Sequence, residues 1–250
     1  KLQEIFDGDQ DKIDYILQWM LYCMLPTYQH QKFLILFGTG RNGKGVLTSI
    51  LIAILGKDNC SFESFSDLAE DKNYSLISLK DKYVNISSEI QSREAETDII
   101  KRLTGGDFIS TRKIYRDKIQ FENFAKLIVS SNSIPRVTNL DKAFLNRVEI
   151  IEFSKSFEGN PDTKLVSKLK SELPGILNRI LSKSSKLIRN NGEVKLSIPD
   201  SIKADQKKFT SNFHSVSEFI EEECTLTLDN DSKFDKATKL KNLYERYHDW

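Results

Sequence analysis

The chain is predicted to be an α/β protein built on a mostly parallel sheet, and three observations predict it. A glycine-rich turn, Gly38-Thr39-Gly40-Arg41-Asn42-Gly43-Lys44-Gly45, joins the apolar run KFLILF (32–37) to the apolar stretch VLTSILIAIL (46–55), which Gly56 closes. Three more apolar, β-branched runs follow: KYVNISSE (82–89), AKLIVSSN (125–132) and VEIIEF (148–153). Segments with helical spacing separate them, and strands alternating with helices build parallel sheets that bind ligands at the strands' C-terminal ends.

Taken in order, residues 1–31 read as an N-terminal helical segment. Ile13, Ile16, Leu17, Met20, Leu21 and Met24 recur at three- and four-residue spacing, and Pro26 stops the helix. The core is expected over 32–155. After the turn and its helix, the polar stretch 61–73 is read as a short strand and a helix, and 82–89 as a second parallel strand with Glu89 at its end. A helix over 94–103 is stopped by Gly105-Gly106. Residues 107–121 then alternate apolar and polar (Phe108, Ile109, Ile114, Tyr115, Ile119, Phe121) around Arg116-Asp117-Lys118, the pattern of a β-hairpin. A buried strand ending at Asn132, a helix over 140–146 and a strand over 148–153 complete the core. Residues 156–192 read as helical and basic, and 193–250 as a linker and a polar, helical end that carries Glu221-Glu222-Glu223.

Composition limits the function classes. With 250 residues, 39% hydrophobic and 29% charged, the chain can bury one good core with small helical additions, and no apolar stretch nears the roughly 20 residues of a membrane helix. A net charge of +1 argues against a general nucleic-acid coat, but the sign is uneven. Between 101 and 118, Lys101, Arg102, Arg112, Lys113, Arg116 and Lys118 face only Asp107 and Asp117; between 164 and 189 seven Lys/Arg face only Glu172. Such faces are candidate phosphate contacts. Cys23, Cys60 and Cys224 are far apart, and His30, His214 and His248 form no ligand-like cluster with them, so neither a zinc site nor a disulfide framework is expected and a reducing cytoplasm fits. The chain opens on Lys1 without a basic-then-apolar leader, as a piece of a longer polypeptide would.

The turn carries the chemistry. Strand, glycine-rich turn and helix together let backbone N–H groups cradle phosphates, with a lysine on the β- and γ-phosphates. Gly38, Gly40, Asn42, Gly43, Lys44 and Gly45, with Val46 at the head of the helix, are the candidate nucleotide-binding set. Gly45 stands where a Ser or Thr usually holds Mg²⁺, so the metal must be held by water or by groups from elsewhere, and Glu89 would reach it only through a water. A phosphate loop hydrolyses ATP when a carboxylate polarises the attacking water and a polar group senses the γ-phosphate. Glu89 and Asn132, both at C-terminal strand ends, can take those parts. Arg147, before the last strand, can reach the nucleotide of a neighbouring subunit. Each has a plainer alternative: an exposed acid, a turn residue in Asn132-Ser133-Ile134-Pro135, and an ion-pair partner.

In order, GTGRNGKG, NISSE, LTGGDFISTRKIY, KLIVSSNSIP and FLNRVEIIEF resemble the superfamily 3 helicases, in the branch of phage, plasmid and other mobile-element primase–helicases. The likeness is strong over 9–153 and weaker through ELPGIL (172–177), and LYERYHDW (243–250) is similar to the start of that branch's C-terminal DNA-binding segment. The resemblance implies an AAA+ core, a ring of six subunits with ATP and Mg²⁺ at the interfaces, and a primase-type domain N-terminal on the same polypeptide. It implies Lys44 on the β/γ-phosphates, Glu89 as catalytic base, Asn132 as sensor and Arg147 as an arginine finger in trans. Hairpin residues Arg112, Lys113, Tyr115, Arg116 and Lys118 would grip single-stranded or forked DNA. A second reading is an ATP- and DNA-binding module that marks or melts an origin and unwinds weakly. A third, a P-loop small-molecule kinase, leaves the hairpin without a purpose.

Overall fold

The computed structural model describes residues 1–69, 73–88, 96–112, 118–132, 141–159, 162–184, 188, 195–208, 210, 219, 224 and 240–249. Two compact units make up the chain, Lys1–Gln206 and Lys207–Trp250.

The first unit opens with a short helix, α1 (Leu2–Ile5), and then α2 (Gln10–Cys23). Asp9 starts α2 by accepting the Lys12 N–H at 2.9 Å, and the helix ends shortly before Pro26. Nine of its residues are buried, including Ile13, Tyr15, Trp19 and Tyr22, because it packs against both the sheet and a later helix. The strands are β1 (Phe33–Phe37), β2 (Cys60–Ser61), β3 (Val84–Ser88), β6 (Lys126–Ser131) and β7 (Val148–Glu152), in spatial order β2-β3-β6-β1-β7. All four pairings among them are parallel. The sheet is therefore the parallel one expected, with its apolar runs covered on both faces. From the C-terminal end of β1 the chain moves out to the edge strand β2, and it comes back through β6 and β7 to flank β1 on either side. That makes the C-terminal end of β1 the switch point where α/β sheets bind ligands.

Helix α3 (Lys44–Leu55) begins at the glycine turn and buries Lys44, Thr48, Ile50 and Leu51, one face at four- and three-residue spacing. Gly56 (φ +84°) ends it, donating its N–H to Ile52 O at 2.8 Å. Between β2 and β3 lie α4 (Phe65–Ala69) and α5 (Asn73–Leu76). Helix α6 (Thr97–Gly105) buries Ile99, Ile100 and Leu103 and stops at Gly106, whose φ of +80° suits glycine. A separate antiparallel pair, β4 (Phe108–Arg112) with β5 (Lys118–Glu122), forms the expected hairpin, with Arg112 opposite Lys118. Helix α7 (Lys142–Leu145) leads into β7, and α8 (Leu165–Ser171) and α9 (Leu173–Ser184) pack on α3 and α2. A helix follows from residue 200, and the second unit contains a helix over Leu240–Asp249.

The strand patterns did not suggest that Glu149 and Lys126 are deeply buried. Glu149 on β7 is 1% exposed and accepts hydrogen bonds from Tyr15 Oη and from Trp19 Nε1, the latter at 2.7 Å, with Lys32 Nζ 3.9 Å away. Lys126, at the start of β6, is 0% exposed; its ammonium donates to Leu25 O and lies 4.8 Å from the centre of the Tyr22 ring.

A candidate nucleotide site at the end of the central strand

The glycine turn folds over the end of β1 in a form that few sequences can take. A Cβ on Gly38 would lie 2.4 Å from Phe153 O and 2.5 Å from Asn42 Nδ2, so only glycine fits. Gly43 has φ +98°, and a Cβ there would meet Ile5 Cδ1 at 2.7 Å. The turn is tied to both neighbouring strands. Gly38 donates its N–H to Ser131 O, the last residue of β6, at 3.1 Å, and Phe157 N–H, beyond β7, donates to Arg41 O at 2.9 Å.

Lys44 is the first residue of α3 and is 7% exposed. Its ammonium donates to Gly38 O at 2.5 Å, Asn42 Oδ1 at 3.1 Å and Asn132 Oδ1 at 2.9 Å. All three acceptors are neutral, and among the described residues it has no carboxylate partner. Burial without a counter-charge lowers its pKa. Beside it, the first N–H groups of α3 have no intrahelical acceptor and Gly43 supplies no side-chain cap. Buried ammonium and orphan N–H groups together form an anion site. A pocket of about 220 Å³, lined by Lys1, Ile5, Arg41, Gly43, Val46, Phe157, Asp162 and Leu165, opens beside the turn.

The predicted residues distribute as follows. Asn132, the residue after β6, meets Lys44 directly, so the sheet brings the loop and the candidate sensor together. Val46 lies on the pocket wall. Gly45 has open space around a would-be Cβ, so a serine there would fit sterically. Thr48 is no substitute for it: its hydroxyl, in a buried residue, faces Lys44 O at 3.3 Å and Gly45 O at 3.2 Å. Among the described residues no group of three His, Cys, Asp or Glu is placed to hold a metal. Glu89 follows the last residue of β3 and lies outside the described residues.

Arg147 is far from Lys44 of the same chain. Its carbonyl accepts the Phe33 N–H at 2.8 Å, at the opposite end of β1 from the turn, about 13 Å away along the strand. The guanidinium donates from Nη1 to Ala143 O at 2.8 Å, and its buried Nε has no partner among the described residues. Asp141 caps α7 through Phe144 N–H at 2.7 Å and is paired with Lys101 of α6 at 2.5 Å, which fixes the turn before Arg147. In the hairpin, Lys118 is exposed. Lys113, Tyr115 and Arg116 lie outside the described residues, as does the side chain of Arg112.

Sequence reading placed Asn42 in the loop but missed its bonds, and missed the carbonyls of Phe153 and Ser131 as parts of the site. No side-chain pattern marks a backbone carbonyl. The glycine at 38 was a signal the sequence did hold, since it marks a place where backbone approaches closely.

Residues 36–147 match the model of a family described as "Family of unknown function (DUF5906)". The chain is 27% identical over 174 residues to the Acanthamoeba polyphaga mimivirus protein named "Putative helicase L207/L206", covering 64% of this chain and 17% of that protein. It is 28% identical over 142 residues to "Putative helicase 184R" of Invertebrate iridescent virus 6, covering 50% of this chain and 14% of that protein. The chain thus spans about a sixth of the length of these relatives. Among solved structures, the NrS-1 C-terminal region in its apo form is similar in fold, with a TM-score of 0.58 at 18% identity over 88% of this chain and 52% of that one.

Proposed function

We propose that this chain is the motor domain of an ATP-dependent DNA helicase or translocase that acts in replicating a phage, plasmid or other mobile element. The observation that carries this reading is Lys44, a buried ammonium whose acceptors among the described residues are all neutral, at a glycine turn and helix start, in contact with Asn132 just after the neighbouring strand. A triphosphate supplies the missing negative charge. The names of the viral relatives support the helicase reading over other P-loop chemistries.

On this reading Lys44 exchanges the Gly38 and Asn132 oxygens for phosphate oxygens, which releases the Asn132 amide to read the γ-phosphate. The pocket beside Val46 and Phe157 takes the base and sugar. Glu89, directly after β3, polarises the attacking water. Arg147 is too far to serve its own site and acts on the nucleotide of the next subunit in a ring, hexameric in the superfamily 3 pattern. The hairpin grips DNA through Arg112, Lys113, Tyr115, Arg116 and Lys118.

The reading that competes is an ATP- and DNA-binding module that melts an origin but unwinds poorly. Strand displacement on a forked duplex separates the two. ATP-dependent displacement that fails without hydrolysable nucleotide supports the motor; DNA binding and ATP binding without displacement support the module.

A further inference from the structure

We propose that Asn42 is a positioning residue: it touches no nucleotide, but aims the Lys44 ammonium and latches the phosphate loop to the chain that leaves β7. The inference rests on the reading of this loop as a nucleoside triphosphate site and names the device that sets it.

Asn42 is 2% exposed and its amide is fully committed inside the protein. Nδ2 has two hydrogens, and it donates to Thr39 O at 3.0 Å and Phe153 O at 3.1 Å; Oδ1 accepts from Lys44 Nζ at 3.1 Å. No donor is left over for a phosphate. The first bond closes the turn on itself, the second fixes it to the residue after β7, and the third orients the lysine. Other side chains fail on simple grounds. Asp lacks both donors, Ser has only one, and Gln is a methylene longer in a site with no room. The glycine at 38 belongs to the same device, since a Cβ there would run into both Phe153 O and Asn42 Nδ2.

The latch also ties the loop to one end of a strand whose other end carries Arg147. Phe153 directly follows β7, and Arg147 directly precedes it. A subunit's own phosphate loop is therefore bonded to one end of a rigid five-residue strand whose other end carries the arginine offered to the neighbour.

The test compares the parent with Asn42→Ala and Asn42→Asp, using two measurements. Without nucleotide, amide hydrogen exchange is followed at Gly38 and Phe157, whose N–H groups bond to Ser131 O and Arg41 O. Both variants should lose protection there by roughly tenfold, the loss of about one net buried hydrogen bond, with the helices α2 and α9 unchanged. Affinities for fluorescent ATP and ADP are then titrated. Asn42 acts through Lys44, which reaches the β- as well as the γ-phosphate, so the affinities for both nucleotides should weaken, by about tenfold or more, and more in Asn42→Asp, where the new carboxylate holds Lys44. Unchanged exchange at Gly38 and Phe157 would overturn the latch. A loss confined to ATP would overturn the positioning role in favour of γ-phosphate contact. A parent that binds no nucleotide, with exchange altered as expected, would leave the latch standing and remove the functional reading instead.

Discussion

Lys44 matters for its charge and reach rather than for packing, since it is the end of the side chain that meets Gly38, Asn42 and Asn132. Lys44→Ala should keep the fold and abolish nucleotide binding; a circular dichroism spectrum like the parent's with no ATP hydrolysis is the expected pair of results. Glu89→Gln should differ in kind, binding ATP normally while hydrolysis falls about a hundredfold or more, as for a lost general base. Loss of binding in that variant would point to a structural or metal-holding part. Lys126 makes a separate prediction about stability. Burial lowers its pKa from 10.5 to about 8, so between those values the unfolded chain binds a proton that the folded chain does not, and this residue's contribution to stability rises with pH. Cys23, pushed up by burial to about 12, acts in the opposite sense, so the effect must be read as a difference. Urea unfolding of the parent minus that of Lys126→Met should gain on the order of 2 kcal/mol from pH 8 to 10.5. A flat difference would mean that the ammonium is better solvated than its position suggests.

The hairpin β4–β5 is antiparallel and stands apart from the main sheet, with Lys118 exposed on β5. If it lines a channel for DNA, its contacts are with phosphates and depend on salt. Replacing Arg116 and Lys118 with Ala should weaken single-strand binding and flatten the slope of log K against log salt by about one to one and a half units. DNA-independent ATP hydrolysis should survive. Unchanged affinity and slope would move attention to the basic helices α8 and α9. Elements of this kind were legible in the sequence because each has a periodic pattern or a stop signal: the apolar runs of β1, β6 and β7, the glycines closing α3 and α6, the alternation of the hairpin. What was not legible arises from tertiary placement. VEIIE gives no hint that Glu149 is buried, because the partners that stabilise it, Tyr15 and Trp19, come from a helix more than a hundred residues earlier. Nor could KLIVSS show that Lys126 is sealed under Leu25 and Tyr22. The site was read more fully than the core, since phosphate loops have a local signature, while the carbonyls of Phe153 and Ser131 have none.

At the scale of the molecule, Lys44 and Asn132 lie at the C-terminal ends of the sheet and Arg147 at the other end. On the proposed motor reading, these are two halves of a site that a second copy of the chain completes. Arg147→Ala should therefore bind ATP normally and lose about 10³ to 10⁵ in turnover, the range for an arginine finger. Mixing Arg147→Ala with Glu89→Gln pairs an intact base with an intact finger, and partial recovery of hydrolysis is expected where subunits exchange; no recovery would count against action in trans. The central claim, that the Lys44 site turns over ATP in response to DNA, is tested most directly by the steady-state rate of ATP hydrolysis with and without single-stranded DNA. The account predicts hydrolysis that rises several-fold on adding DNA and is absent in Lys44→Ala; a rate that ignores DNA, or that persists without Lys44, would contradict it.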